Sequence, residues 1–258
     1  MELKLRDKAV VITGGSRGIG FACAKAFMAE GARVGIVSRT RESLDRACAE
    51  LGSAAGSCSD LVDPNSAERA IEELEATLGP IDILVNSAGA ARQTAPDDLT
   101  PKHWRDAMDA KFFSYINVID VVVKKMAARQ AGVIVNIIGA GGKVASPTHL
   151  PGGSANAALM LATAGLAQAY APRGIRVVGI NPGLTDTDRV AGAMQAQASA
   201  KGISVEDARR QSLDRIPLGR IATPEEIAAA VLFLASDQAS YITGVNISMD
   251  GAQVATVV

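Results

Sequence analysis

AVVITGGSRGIGFACAKAFMAEG (residues 9–31) runs from an apolar segment through a glycine-rich turn into a helical pattern. The first five residues are short, rich in valine and apolar on both faces, as a strand inside a parallel sheet should be. Thr13-Gly14-Gly15-Ser16-Arg17-Gly18-Ile19-Gly20 follows directly and opens the helix. Glycines let a backbone turn sharply and approach a pyrophosphate, and the helix start adds free N–H donors and a partial positive charge. A glycine triplet by itself can be an ordinary tight turn. Set between a strand and a helix in the first βαβ unit, it reads as a dinucleotide-phosphate loop.

The same alternation continues to the other end of the chain. Apolar runs at 9–13, 32–38, 81–86, 132–138, 175–181 and 245–249, with a weaker one near 54–59, predict seven strands. Helical patterns at 18–30, 41–51, 64–78, 102–129, 154–170 and 223–236 lie between them, the last with Thr223 as N-cap and Pro224 in the first turn. This rhythm predicts an α/β fold: a single Rossmann-type domain over 1–258, with a doubly wound, seven-stranded parallel sheet. One long irregular insertion, 184–215, lies beyond the carboxyl ends of the strands and is the expected substrate lid.

Composition narrows the class. The chain has 258 residues, enough to bury roughly three quarters of its unfolded surface. Hydrophobic residues make up 48% and aromatics only 3%, with 25 glycines, which suits closely packed helices on a sheet. A net charge of −1 with mixed signs gives no electrostatic case for nucleic acid or an anionic membrane. Cys23, Cys48 and Cys58 lack metal-type spacing, so no metal is expected, and they read as reduced, mostly buried thiols. With no signal-like or membrane-spanning run, a cytoplasmic protein is expected.

The TGxxxGxG spacing resembles that of the short-chain dehydrogenase/reductase family, and the resemblance covers nearly the whole chain. Asp60, followed by Leu61 in SDLVD, matches the family's adenine-contacting acid. Asn86-Ser87-Ala88-Gly89 is similar to the NAG segment after the fourth strand. Asn181-Pro182-Gly183 with Thr185 and Thr187 resembles the stretch that clamps the nicotinamide carboxamide. GRIATPEEIAAAVLFLASDQASYITGVNISMDG (219–251) is similar to the last helix and strand.

Charge then selects the dinucleotide. An acid after the second strand would hold the ribose hydroxyls of NAD and repel a 2′-phosphate. Ser38-Arg39 stands there instead, and Arg17 lies in the loop, so NADP(H) is expected over NAD(H). The alternative is that Arg39 and Arg41 are solvated surface charges.

The family's acid–base set is a tyrosine, a lysine four residues later, a serine and an asparagine. The resemblance places these on Gly153, Ala157, Gly139 or its neighbour Ile138, and Lys111, all changed. From Gly153 to Ala167 no side chain carries charge at neutral pH. Two residues are expected as substitutes. The Lys111 ammonium could fill the vacated lysine space or snorkel to the surface, and His149, just before Gly153, has an imidazole suited to replace a phenol. Lys143, Ser146 and Asp186 border the same mouth, while His103 and Trp104 are expected to anchor helix packing. Two functions stay open: an oxidoreductase with a divergent site, acting on a small alcohol or carbonyl compound, or a catalytically silent subunit paired with an active relative. The resemblance also implies a homo-oligomer, most simply a tetramer.

Overall fold

In the computed structural model, which describes residues 2–89 and 91–254, seven parallel strands lie in the order β3-β2-β1-β4-β5-β6-β7. They are β1 (Ala9–Thr13), β2 (Arg33–Ser38), β3 (Ala55–Cys58), β4 (Ile83–Asn86), β5 (Gly132–Ile137), β6 (Ile175–Pro182) and β7 (Asn246–Met249). Along β1, Val10 and Ile12 enter one core, with α1 (Gly18–Ala29), α2 (Arg41–Leu51) and α9 (Pro224–Ala235). Ala9 and Val11 enter the other, with α3 (Pro64–Leu78), α5 (Ser114–Arg129) and α6 (Leu150–Tyr170). The period-two alternation of the strand thus feeds two separate hydrophobic layers. The expected doubly wound sheet is the observed one.

Chain order reverses between β1 and β4, which are neighbours through Val10 and Ile83 to Thr13 and Asn86. That makes the switch point, with its crevice, at the carboxyl ends of these two strands.

Two expectations are corrected. The helix expected over 102–129 is broken into α4 (Pro101–Ala107), a wide π-turn at Met108–Phe113, and α5. The insertion at 184–215 is not irregular, since it folds into α7 (Asp188–Lys201) and α8 (Val205–Leu213). Ser204 caps α8 by accepting from the Asp207 N–H, a pattern visible as Ser-Val-Glu-Asp in the sequence. His103 does anchor a helix, its Nδ1 accepting from the Thr100 N–H at the start of α4, but Trp104 beside it is partly exposed. Of the cysteines only Cys23 is fully buried, and burial pushes its thiol up to about 12. No helix among the described residues is long and apolar enough to cross a membrane.

Candidate active site

The glycine loop is built for close approach. Gly14 has a φ of 66°, and a Cβ there would stand 2.8 Å from the Ala88 backbone. A Cβ on Gly20 would overlap the Gly14 carbonyl. Thr13 fastens this loop to the segment after β4: its hydroxyl accepts from the N–H groups of Ser87 (3.1 Å) and Ala88 (3.3 Å) and donates to Asn86 Oδ1. Arg17 occupies the N-cap of α1 without a side-chain cap bond, which leaves the first N–H groups, around Gly18 and Ile19, for an anion. Thr187 closes the loop from the far side, its methyl 3.3 Å from the Cβ position of Gly18. These residues fit a dinucleotide pyrophosphate.

The residues expected at the adenosine end are equally assembled. Ser16 and Ser38 hydroxyls lie 3.0 Å apart, and Arg17 and Arg39 are both exposed beside them. Asp60 is exposed, its carboxylate accepting from the Val62 N–H, while Leu61 is buried. Asn117 on α5 holds this segment by donating to the carbonyls of Leu61 and Val62. At the opposite end, Pro182 and Thr185 are buried, the Thr185 hydroxyl donates to the Gly183 carbonyl, and a Cβ on Gly89 would overlap the Ala110 carbonyl of the π-turn.

Beneath the crevice runs a polar chain that the sequence reading missed. Asn86 Nδ2 donates to Asn136 Oδ1 and Asn136 Nδ2 to Thr163 Oγ1, both at 3.0 Å, linking β4, β5 and α6. Buried amides satisfied in this way rigidify what stands on them. Asn136, in the apolar run GVIVNII (132–138), was the available signal.

The start of α6 turns inward residues other than the two expected there. Ala155, Asn156, Leu159, Thr163 and Ala167 face inward, and Gly152 is buried with them. Ala157 is exposed and Gly153 only half-buried. Gly152 and Asn156, each one residue earlier than Gly153 and Ala157, are a buried pair spaced by four. A Cβ on Gly152 would collide with the His149 ring, so the imidazole occupies the space that a side chain at 152 would use. The Ala140–Gly142 turn also lies against the helix: a Cβ on Gly142 would meet the Ala157 nitrogen at 2.8 Å, and one on Gly153 the Gly141 carbonyl at 2.8 Å. Gly139 has a φ of 129°, a conformation serine avoids.

Lys111 does not snorkel. It is buried in the π-turn, where Nζ donates to Tyr115 Oη (2.8 Å) and to the Ile137 carbonyl (3.0 Å). Tyr115, unremarked in the sequence, is fully buried and donates to the same carbonyl at 2.6 Å. The spacing of four between Lys111 and Tyr115 is the signal that could have paired them. Lys143 turns away from the mouth, donating to Asn246 O and Ser248 Oγ on β7. Asp186 is exposed, and Ser146 lies within reach of Thr148.

A glycine loop on an uncapped helix, at the switch point of a doubly wound sheet, defines a dinucleotide-binding α/β protein. A family model described as Enoyl-(Acyl carrier protein) reductase matches residues 14–252. A 3-oxoacyl-[acyl-carrier-protein] reductase of Chlamydia muridarum is 36% identical over 256 residues, covering 97% of this chain and 99% of that protein. A 3alpha-hydroxysteroid dehydrogenase of Mediterraneibacter gnavus is 33% identical, covering 98% and 99%. Among solved structures, L-sorbose reductase from Gluconobacter frateurii, complexed with NADPH and L-sorbose, superposes with a TM-score of 0.92 at 28% identity over the whole of both chains. The chain belongs to the short-chain dehydrogenase/reductase family of oxidoreductases.

Proposed function

We propose that this chain is an NADP(H)-dependent oxidoreductase that interconverts a small carbonyl compound and its alcohol without the family's tyrosine and lysine. The observation that carries the cofactor preference is Arg17 and Arg39 flanking Ser38, with no carboxylate at that position. The NADPH-complexed sorbose reductase and the actinorhodin polyketide ketoreductase (TM-score 0.93, 27% identity) support it.

NADP(H), when bound, supplies or accepts the hydride. The chain's own residues do the rest. Gly14, Gly18, Gly20 and the start of α1 hold the pyrophosphate, Arg17 and Arg39 the 2′-phosphate, Asp60 and Leu61 the adenine. Asn86, Ala88, Gly89, Pro182, Gly183 and Thr185 line the nicotinamide end. His149, lying over Gly152, gives a proton to the substrate oxygen in reduction and takes one in oxidation, since an imidazole exchanges protons near neutral pH. Orientation against the nicotinamide retains part of the rate without a phenol. One observation favours the silent-subunit reading instead: the Ala140–Gly142 turn sits tightly on α6, narrowing the site.

Fluorescence titration with NADPH and NADH tests the cofactor assignment. Arg39→Ala is expected to weaken NADPH roughly ten- to a hundredfold, the value of a charge-assisted hydrogen bond, and to leave NADH unchanged. Equal affinities in the wild type, or no loss on mutation, contradict it.

A further inference from the structure

Asn156 is the inward-facing residue of α6 that the arrangement above leaves without a task. It is 6% exposed. Asn86, Asn117 and Asn136 each spend their amides on hydrogen bonds within the fold. The Asn156 amide makes no hydrogen bond to a described residue, and its polar atoms keep some contact with solvent.

Its position is specific. Nδ2 lies 3.2 Å from the Cβ position of Gly139, at the end of β5, and 3.7 Å from that of Gly141. His149 Nε2 lies 4.0 Å from the same Gly141 point. An imidazole and an amide therefore flank one stretch of glycine backbone at the carboxyl end of the sheet, where the nicotinamide end of the crevice lies. The strand end itself offers no side chain, because a Cβ at 139 would press on the amide. A donor that would otherwise project from the strand arrives from the helix.

We propose that the Asn156 side-chain amide donates a hydrogen bond to the oxygen of a carbonyl or alcohol substrate, beside the proton exchanged by His149. The inference rests on the oxidoreductase reading of the site. In reduction the carbonyl carbon gains the hydride, its oxygen gains negative charge, and the amide N–H stabilises that charge until the proton arrives. Preorganised donors of this kind contribute through charge that develops in the transition state.

The test uses the full chain, NADPH, and three ketone probes: ethyl pyruvate, diacetyl and cyclohexanone. Asn156→Ala removes the amide, and Asn156→Asp keeps the shape while removing the N–H donors. Both are expected to lower kcat for the best probe about a hundredfold or more. NADPH affinity by fluorescence and the unfolding temperature should stay at wild-type values. Infrared difference spectra of the probe bound with the oxidised cofactor should show the carbonyl stretch lowered in the wild type and returned toward its free position in both variants. Unchanged kcat and an unshifted carbonyl band overturn the role of Asn156 while leaving the oxidoreductase reading intact. A loss shared by unfolding temperature and NADPH affinity in both variants overturns it too, by making the residue structural. A folded wild type that reduces none of the probes counts against the oxidoreductase reading, and the role of Asn156 falls with it.

Discussion

Three glycines hold the key to the site at the residue scale. Gly152 admits the His149 ring, Gly139 turns through a φ of 129°, and Gly142 lets its turn lie on the Ala157 nitrogen. At these positions neighbouring atoms stand close to where a Cβ would come, so a larger side chain would need its surroundings to shift. This bears on whether the family's set can be put back by Lys111→Asn, Gly139→Ser, Gly153→Tyr and Ala157→Lys. The spacing of the motifs alone suggests that the four together would raise ketone reduction. The structure reverses the expected sign. A lysine at 157 would start from an exposed position, a tyrosine at 153 would meet the Gly141 carbonyl, and a serine at 139 would be strained. The quadruple variant is expected to reduce activated ketones no faster than wild type and to melt at a lower temperature. A well-folded quadruple variant with a clear gain in NADPH oxidation contradicts this account of the pocket.

The elements of the fold were legible to different depths for physical reasons. Strands buried on both faces announce themselves as valine and isoleucine runs, so β1, β5 and β6 fall within a residue or so of their expected bounds. The π-turn at Met108–Phe113 was not legible, because it depends on Lys111 reaching Ile137 across the fold and on the Ala110 carbonyl facing Gly89. The helix expected over 154–170 begins earlier, at Leu150, and alanine and glycine on every side leave little periodicity to show which residues of α6 face inward. At α9 the sequence was explicit: Thr223 and Glu226 form the capping box that TPEE suggests. There Arg220 pairs with Glu226 through both nitrogens, and these bonds with the Thr223 N–H hold the Glu226 carboxyl down at about 2, below its ordinary 4.5. The folded state thus binds this proton more weakly than the unfolded chain. The contribution is complete above about 4.5 and lost as pH falls toward about 2. Thermal melts over that range should show wild type losing its advantage over Glu226→Gln as the pH drops. An advantage that stays constant from neutral pH to acid would contradict the assignment.

At the scale of the whole molecule, the outer face of α6 stands open. Leu161 is 77% exposed, Ala157 is exposed, and nothing lies within 4 Å of a Cβ placed on Gly165. Phe113, at the end of the π-turn before α5, is also exposed. A helix this apolar and small-faced suits close pairing with a second copy, in line with the proposed homo-oligomer. Light scattering at micromolar concentration should give a mass above one chain, reduced by Leu161→Glu. A wild type already monomeric there contradicts the pairing. Fold and cofactor crevice were readable because the glycine loop, the NSAG segment and the final helix each carry several constrained positions. The expected catalytic positions were less legible, because the His149 ring and the Ala140–Gly142 backbone that pack there carry no motif. The central claim is the proposed one, that this site carries out hydride transfer. Its most direct measurement is NADPH oxidation by the purified wild type against a carbonyl panel, with alcohol product quantified and His149→Ala alongside. The account predicts NADPH consumed and alcohol formed in equal amounts, falling about a hundredfold or more in the variant. A wild type that binds NADPH tightly yet forms no alcohol from any carbonyl tested would contradict it.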